Sequence, residues 1–174
     1  MRPFLPTIPL LLLALALLSA APLSAQTEPG SLKTGAFGDW LVHQSAGDGP
    51  KTCFAATQPK IKEPAGANRS KIVLYVSAWP KEGVKSEVSV KLGYRIKPDS
   101  PVDVTVGADA FRLFADDDRA YVADSTEELK LVEAMKKGST LVVKATSTRG
   151  TLTTDTYSLN GLGKALDAVA SACP

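Results

Sequence analysis

EVSVKLGY, residues Glu87 to Tyr94, alternates Val88, Val90, Leu92 and Tyr94 with Glu87, Ser89, Lys91 and Gly93. Successive side chains of an extended chain point to opposite faces, so this run reads as a strand with one face buried and the other in water. The same period spreads outward along the chain. Val102, Val104 and Val106 repeat it, then Phe111 and Leu113, then Leu141, Val143 and Ala145, and Tyr157 and Leu159 close the series. IVLYVSA, Ile72 to Ala78, is apolar on both faces and suits a central strand. Turn chemistry separates the runs: GDGP (Gly47–Pro50), KEG (Lys81–Gly83), KPDSP (Lys97–Pro101), Gly107-Ala108-Asp109, Asp116-Asp117-Asp118 and Arg149-Gly150. About nine strands at this spacing favour two packed antiparallel sheets or a barrel over any βαβ arrangement.

Two helices interrupt the strands. Ser125-Thr126-Glu127-Glu128 has the spacing of a capping box, Leu129, Val132 and Met135 follow at helical intervals, and Gly138 stands where the helix should stop. Near the C-terminus Leu162, Ala165, Leu166, Val169 and Cys173 fall on one helical stripe, which puts Cys173 on the buried side. The fold expected is mainly β, an antiparallel sandwich with one short internal helix and a C-terminal helix.

The chain has 174 residues, 44% of them hydrophobic and 22% charged, enough for one core of ordinary size. Its formal charge of +2 is too small to mark a nucleic-acid binder. One histidine, His43, and two cysteines cannot furnish a multi-histidine or four-thiolate metal site, so no cofactor or metal is expected. At the N-terminus Arg2 precedes the apolar run Leu10–Leu18, about 13 Å of helix at ~1.5 Å per residue and under half of a ~30 Å bilayer core. Residues 1–25 are therefore expected to be a secretory signal peptide, cleaved after Ala25, with no transmembrane segment in the mature chain. Residues 26–35 are expected to be a flexible lead-in, and residues 36–174 the domain. In an exported protein Cys53 and Cys173 are the available pair and are expected to be bridged, because they lack the C-x-x-C spacing of a redox pair.

Each candidate site carries a bland alternative. His43 follows Asp39 by four residues, which along a strand separates them by about 13 Å, so a surface strand histidine is expected in preference to a catalytic pair. Asp116, Asp117 and Asp118, with Asp124 nearby, lack the alternating ligands and glycine of a calcium loop and read as a hairpin tip. Trp40 and Trp79 sit in strand patterns and read as core. The longest irregular stretch, Lys60–Lys71, carries Lys60, Lys62, Arg69 and Lys71 against Glu63 alone. It is the candidate partner-binding loop, its alternative being a solvated connector between strands.

Several blocks together resemble the invasion-associated locus B family of exported proteobacterial proteins: FGDW (Phe37–Trp40), CFAATQPK (Cys53–Lys60), VSAWP (Val76–Pro80), the run Glu87–Gly107, FRLFADDDRAYV (Phe111–Val122) and the run Leu131–Cys173 with its TRGTLTTDTYSLNGL segment. The likeness covers essentially the whole domain. It implies an immunoglobulin-like β-sandwich, two family cysteines at Cys53 and Cys173, no catalytic residues, and a name owed to relatives that contribute to entry into host cells. The expected function is a non-enzymatic binding module of the periplasm or outer envelope that contacts a protein, envelope or host-surface partner and no nucleic acid. An envelope hydrolase and a small-molecule or lipid carrier are the alternatives.

Overall fold

The computed structural model describes residues 30–174, so the expected signal peptide and residues 26–29 of the lead-in lie outside the described residues. The chain runs through β1 (Ser31–Phe37), β2 (Trp40–Ser45), β3 (Cys53–Thr57), β4 (Ile61–Glu63), β5 (Val73–Trp79), β6 (Val84–Lys91), β7 (Val102–Val106), β8 (Asp109–Asp116) and β9 (Arg119–Tyr121). It continues through α1 (Ser125–Lys137), β10 (Thr140–Thr146), β11 (Leu152–Ser158) and α2 (Leu162–Ala172). The strands form one antiparallel ladder in the order β1-β2-β3-β5-β6-β9-β8-β7-β10-β11-β4.

β8 makes this long sheet into two layers. Its first half pairs with β7, from Val106↔Asp109 to Val102↔Leu113, while Phe114, Ala115 and Asp116 pair with β9. One half-sheet is thus β1-β2-β3-β5-β6-β9 and the other β7-β10-β11-β4, with β8 passing from one to the other, as expected of a β-sandwich-like fold. Val42, Ala55, Leu74, Val76, Val88 and Val90 from the first half meet Val104, Leu113, Leu141, Val143 and Tyr157 from the second in a single core. Both helices join that core, α1 through Leu131, Val132 and Met135, α2 through Leu162, Ala165 and Val169.

Two strands beyond the expected nine come from segments without period-two patterning. β1 begins at Ser31, inside the segment expected to be flexible, because Ser31–Phe37 finds the unpaired edge of β2, with an irregularity between Lys33 and Gly35. β4 lies inside the expected irregular loop; all three of its residues are exposed, and pairing of Ile61–Glu63 with Thr154–Thr156 of β11 makes it a strand. Tertiary pairing, which leaves no periodic signature in so short a segment, decides both.

The α1 N-cap is one residue earlier than the sequence spacing predicts. Asp124 Oδ1 accepts from Thr126 N at 2.9 Å and Glu127 N at 3.0 Å, and Ser125 is the first helical residue. Glu128, expected to reach back to the cap, instead accepts from Val88 N at 2.7 Å and ties α1 to β6. Burial raises the Glu128 carboxyl above its ordinary pKa, the Val88 hydrogen bond opposing. At the other helix, Gly161 (φ +90°) and Gly38 (φ +55°) let two backbone segments touch, with Asp39 N donating to Asn160 O at 3.1 Å. A Cβ on Gly161 would collide with the Phe37 carbonyl group. Cys173 lies at the C-terminal end of α2, buried as its helical phase requires, and is bonded to Cys53 of β3 with Cα atoms 5.9 Å apart.

Candidate functional site

The four basic residues of the 60–71 segment do not form one patch. Lys60 Nζ pairs with Asp39 Oδ1 at 2.5 Å, and that hydrogen bond holds the Asp39 carboxyl below its usual range. Lys62, on β4, and Lys71 are exposed. Arg69 turns inward. Its guanidinium meets Asp155 through both nitrogens, Nη1 to Oδ1 at 2.8 Å and Nη2 to Oδ2 at 2.5 Å, and donates to Leu92 O at 2.8 and 3.0 Å. With side-chain exposures of 5% for Arg69 and 0% for Asp155, the pair lies within the fold. Arg69 also stacks on Tyr94, 5.1 Å from the ring centroid, and Tyr94 Oη shares a 2.6 Å hydrogen bond with Thr153 Oγ1. Expected to meet a partner, Arg69 is a buried anchor of its loop, because Asp155 sits at an inward position of β11 in phase with Thr153 and Tyr157. Open grooves of about 430 and 440 Å³ flank the 64–69 segment.

His43 is also not where the sequence predicts. It is 3% exposed, stacked on Phe54 with ring centroids 5.1 Å apart and planes within 3°, and its Nδ1 lies 3.3 Å from Ser31 Oγ. β1 covers what would otherwise be an exposed strand residue, so the misplaced boundary of β1 and the misplaced histidine are one error. Asp116, Asp117 and Asp118 do form the β8–β9 hairpin turn, with Asp117 at φ +51°, an ion pair to Arg95 at 2.8 Å and one from Asp118 to Lys91 at 3.5 Å. Asp124 caps α1 and takes no part in that turn. Among the described residues no three acidic, histidine or cysteine side chains converge as metal ligands.

The outward face of the first half-sheet holds the feature that sequence reading missed. Strand by strand, the ladder places Leu41, Ala56, Tyr75, Ser89, Tyr121 and Phe114 in one row, with His43, Phe54, Ser77 and Glu87 in the next. Aromatic rings flank the small side chains of Ser77 and Ser89. Phe54 and Tyr75 meet edge to face at 5.7 Å, and Tyr121 and Phe114 stack at 5.6 Å. With Phe54, Tyr75 and Tyr121 as its walls, Ser77 and Ser89, 7% and 3% exposed, form the floor of an open trough of about 400 Å³. Arg119 lies over the Tyr75 ring at 5.3 Å, and Glu87 lines the trough as well. Trp79, expected in the core, is 36% exposed and lines it too, because position 79 shares the outward phase of Tyr75 and Ser77. Trp40, by contrast, is fully buried. The signal for the trough was the identity of the outward-phase residues, which the inward-facing valines overshadow.

A sequence profile described as Invasion associated locus B (IalB) protein matches residues 40–170. The chain belongs to the IalB family. Among solved structures, the IalB fold of this chain is similar to the crystal structure of invasion associated protein b from Bartonella henselae, with a TM-score of 0.56 and 20% sequence identity over 81% of this chain and 97% of that one. No curated protein matches it. The match spans β2 through most of α2, so the layered β architecture and the cysteine-bearing β3 belong to the part shared with the family. Within the described residues no helix is long and apolar enough to cross a membrane.

Proposed function

We propose that this IalB-family protein is an exported, non-enzymatic binding module of the periplasm or outer envelope. Its contact surface is the outward trough of the first half-sheet. The observation that carries this reading is the trough itself, since a soluble strand face normally shows polar residues, and here aromatic walls, a hydroxyl floor and two charged groups line one cavity. Export follows from the leader-like N-terminus and agrees with the Cys53–Cys173 bond. A contribution to host-cell contact is the use the family name suggests.

The hydrolase reading has one specific observation behind it, the 3.3 Å approach of Ser31 to His43 at the trough's end. Complementation of a deletion strain separates the two. Ser31→Ala and His43→Ala variants that fold and are exported should complement fully, whereas Ser89→Tyr, which fills the trough, should fail. Loss of complementation by both Ser31→Ala and His43→Ala would replace binding with catalysis. Full complementation by Ser89→Tyr would move the contact away from this face, with the 60–71 loop, through Lys62 and Lys71, the next surface to test by charge reversal.

A further inference from the structure

The trough lies across the middle of a hydrogen-bonded ladder. β5 is paired on both sides, to β3 and β6, while β6 is paired to β5 along its length and to β9 only at Ser89–Lys91, with Val88 N donating to Glu128. A peptide joining by strand addition takes a place at a sheet edge, in the plane of the ladder, whereas the trough lies on its face. An acyl chain is equally ill suited, because it would strip water from Arg119 and Glu87 while offering neither a partner. The side chains alone must recognise the occupant. They present aromatic rings at Phe54, Tyr75, Tyr121 and Trp79, the hydroxyls of Ser77 and Ser89 below, a guanidinium and a carboxylate.

That combination matches the chemistry of a sugar. A pyranose ring has a C–H face that packs on an aromatic plane and a rim of hydroxyls that donate to a carboxylate and accept from guanidinium and hydroxyl groups. The charges refine the choice. Among the described residues Arg119 forms no ion pair, although Lys91, Arg95 and Arg112 nearby all find carboxylates. The guanidinium is held over Tyr75, where a carboxylate on the occupant would complete a charge-assisted, two-pronged contact. Glu87 then faces the occupant's hydroxyl or amide donors. We infer that the outward trough of the first half-sheet is a binding site for an acidic saccharide, with the sugar ring on Tyr121 and its neighbours and the acidic substituent on Arg119. This inference rests on the binding-module reading and names its ligand class.

Tryptophan emission reports the site directly, because Trp79 lines the trough and Trp40 is fully buried. The mature protein is titrated with oligogalacturonate, hyaluronan hexasaccharide and soluble disaccharide muropeptides as acidic saccharides, and with cellohexaose as a neutral one. Saturable change with an acidic probe at Kd of about 1 mM or tighter, and at least about tenfold weaker response to cellohexaose, is the expected result. Arg119→Gln should weaken the acidic probe about tenfold and the neutral one by clearly less. Tyr121→Ala and Ser89→Tyr should abolish both responses, and should either fail to fold, Arg119→Gln, a half-exposed side chain outside the core, carries the test alone. No saturable response to any acidic probe, or equal affinity for acidic and neutral probes with Arg119→Gln indifferent, overturns the inference. If a partner is crosslinked to this face in intact cells while every saccharide fails, the ligand class is wrong and the binding-module reading stands. If the saccharides bind but Ser89→Tyr complements a deletion strain, the site is real and the contact surface proposed for the cellular role is wrong.

Discussion

Replacing Asp155 by alanine should be among the most damaging single substitutions in this protein. The Arg69 guanidinium would keep its two bonds to Leu92 O and its stacking on Tyr94, but lose both charge-assisted bonds and its only counter-ion among the described residues, at a side-chain exposure of 5%. Breaking a buried pair from one side costs about 3 to 5 kcal/mol, because the surviving charge is stranded out of water. For a domain of this size that lowers Tm by about 6 to 20 °C. Arg69→Met should cost a similar amount by stranding the carboxylate. The double variant Arg69→Met with Asp155→Leu buries no charge and should recover most of the loss, since well-packed apolar replacements of buried pairs are often neutral. Thermal melts followed by circular dichroism of the parent, Arg69→Met, Asp155→Leu and the double variant give the four corners of the cycle, with Asp155→Ala measured beside them, and amide exchange in residues 64–71 reports whether the loop is released. A cost under about 1 kcal/mol for Asp155→Ala, the value of an exposed pair, or a double variant no better than the singles, would refute the reasoning.

Cys53→Ser should lower Tm by removing a bond that closes a separation of 120 residues, at a cost of about 2 to 5 kcal/mol, and peptide mapping without reductant should find Cys53 and Cys173 in one linked species. Intact mass of the exported protein should correspond to cleavage between Ala25 and Gln26, and an N-terminus at Pro22 would show the cleavage site misread. Glu128 has a raised pKa in the fold, so its contribution to stability is fully present below its ordinary value of 4.5 and lost as pH rises through the folded value. Glu128→Gln keeps an acceptor for Val88 N without the buried charge; its Tm relative to the parent should therefore be higher at pH 7 than at pH 4, and the opposite trend would reject the assignment. Gly161→Ala should destabilise by at least about 1 kcal/mol, through the left-handed backbone and the collision with Phe37, and a neutral melt would show that α2 can shift.

The inward half of each strand was legible in the sequence because core residues obey one rule. Val88, Val90 and Leu92 must be apolar and must alternate, and the same holds for Val102, Val104 and Val106. The stripe on α2 placed Cys173 for the same reason. Three features were less legible. β1 and β4 are strands by partnership, formed on the exposed flanks of β2 and β11. Arg69 reads in the sequence as one charge among four, and only the inward phase of Asp155, 86 residues away, distinguishes it from Lys62 and Lys71. The trough is a property of rows across the ladder. Phe54, Tyr75 and Tyr121 belong to three strands, and their convergence depends on register, which one-strand periodicity does not specify.

Cys53 and Phe54 join the two halves of the molecule's design. As neighbours in β3 they point to opposite faces, Cys53 into the core toward α2 and Phe54 outward to the trough wall. The disulfide fixes the last turn of α2 against the inner side of the strand whose outer side carries the Phe54 ring, stacked on His43 and edge-on to Tyr75. β1 adds a third constraint by burying His43 beneath its edge. An exposed aromatic platform gains affinity when its rings are held before the ligand arrives, since any side-chain ordering left to the binding step is subtracted from the affinity. The Cys53–Cys173 bond and the trough face are therefore mechanically one unit, with the covalent bond on one side of β3 and the proposed contact surface on the other.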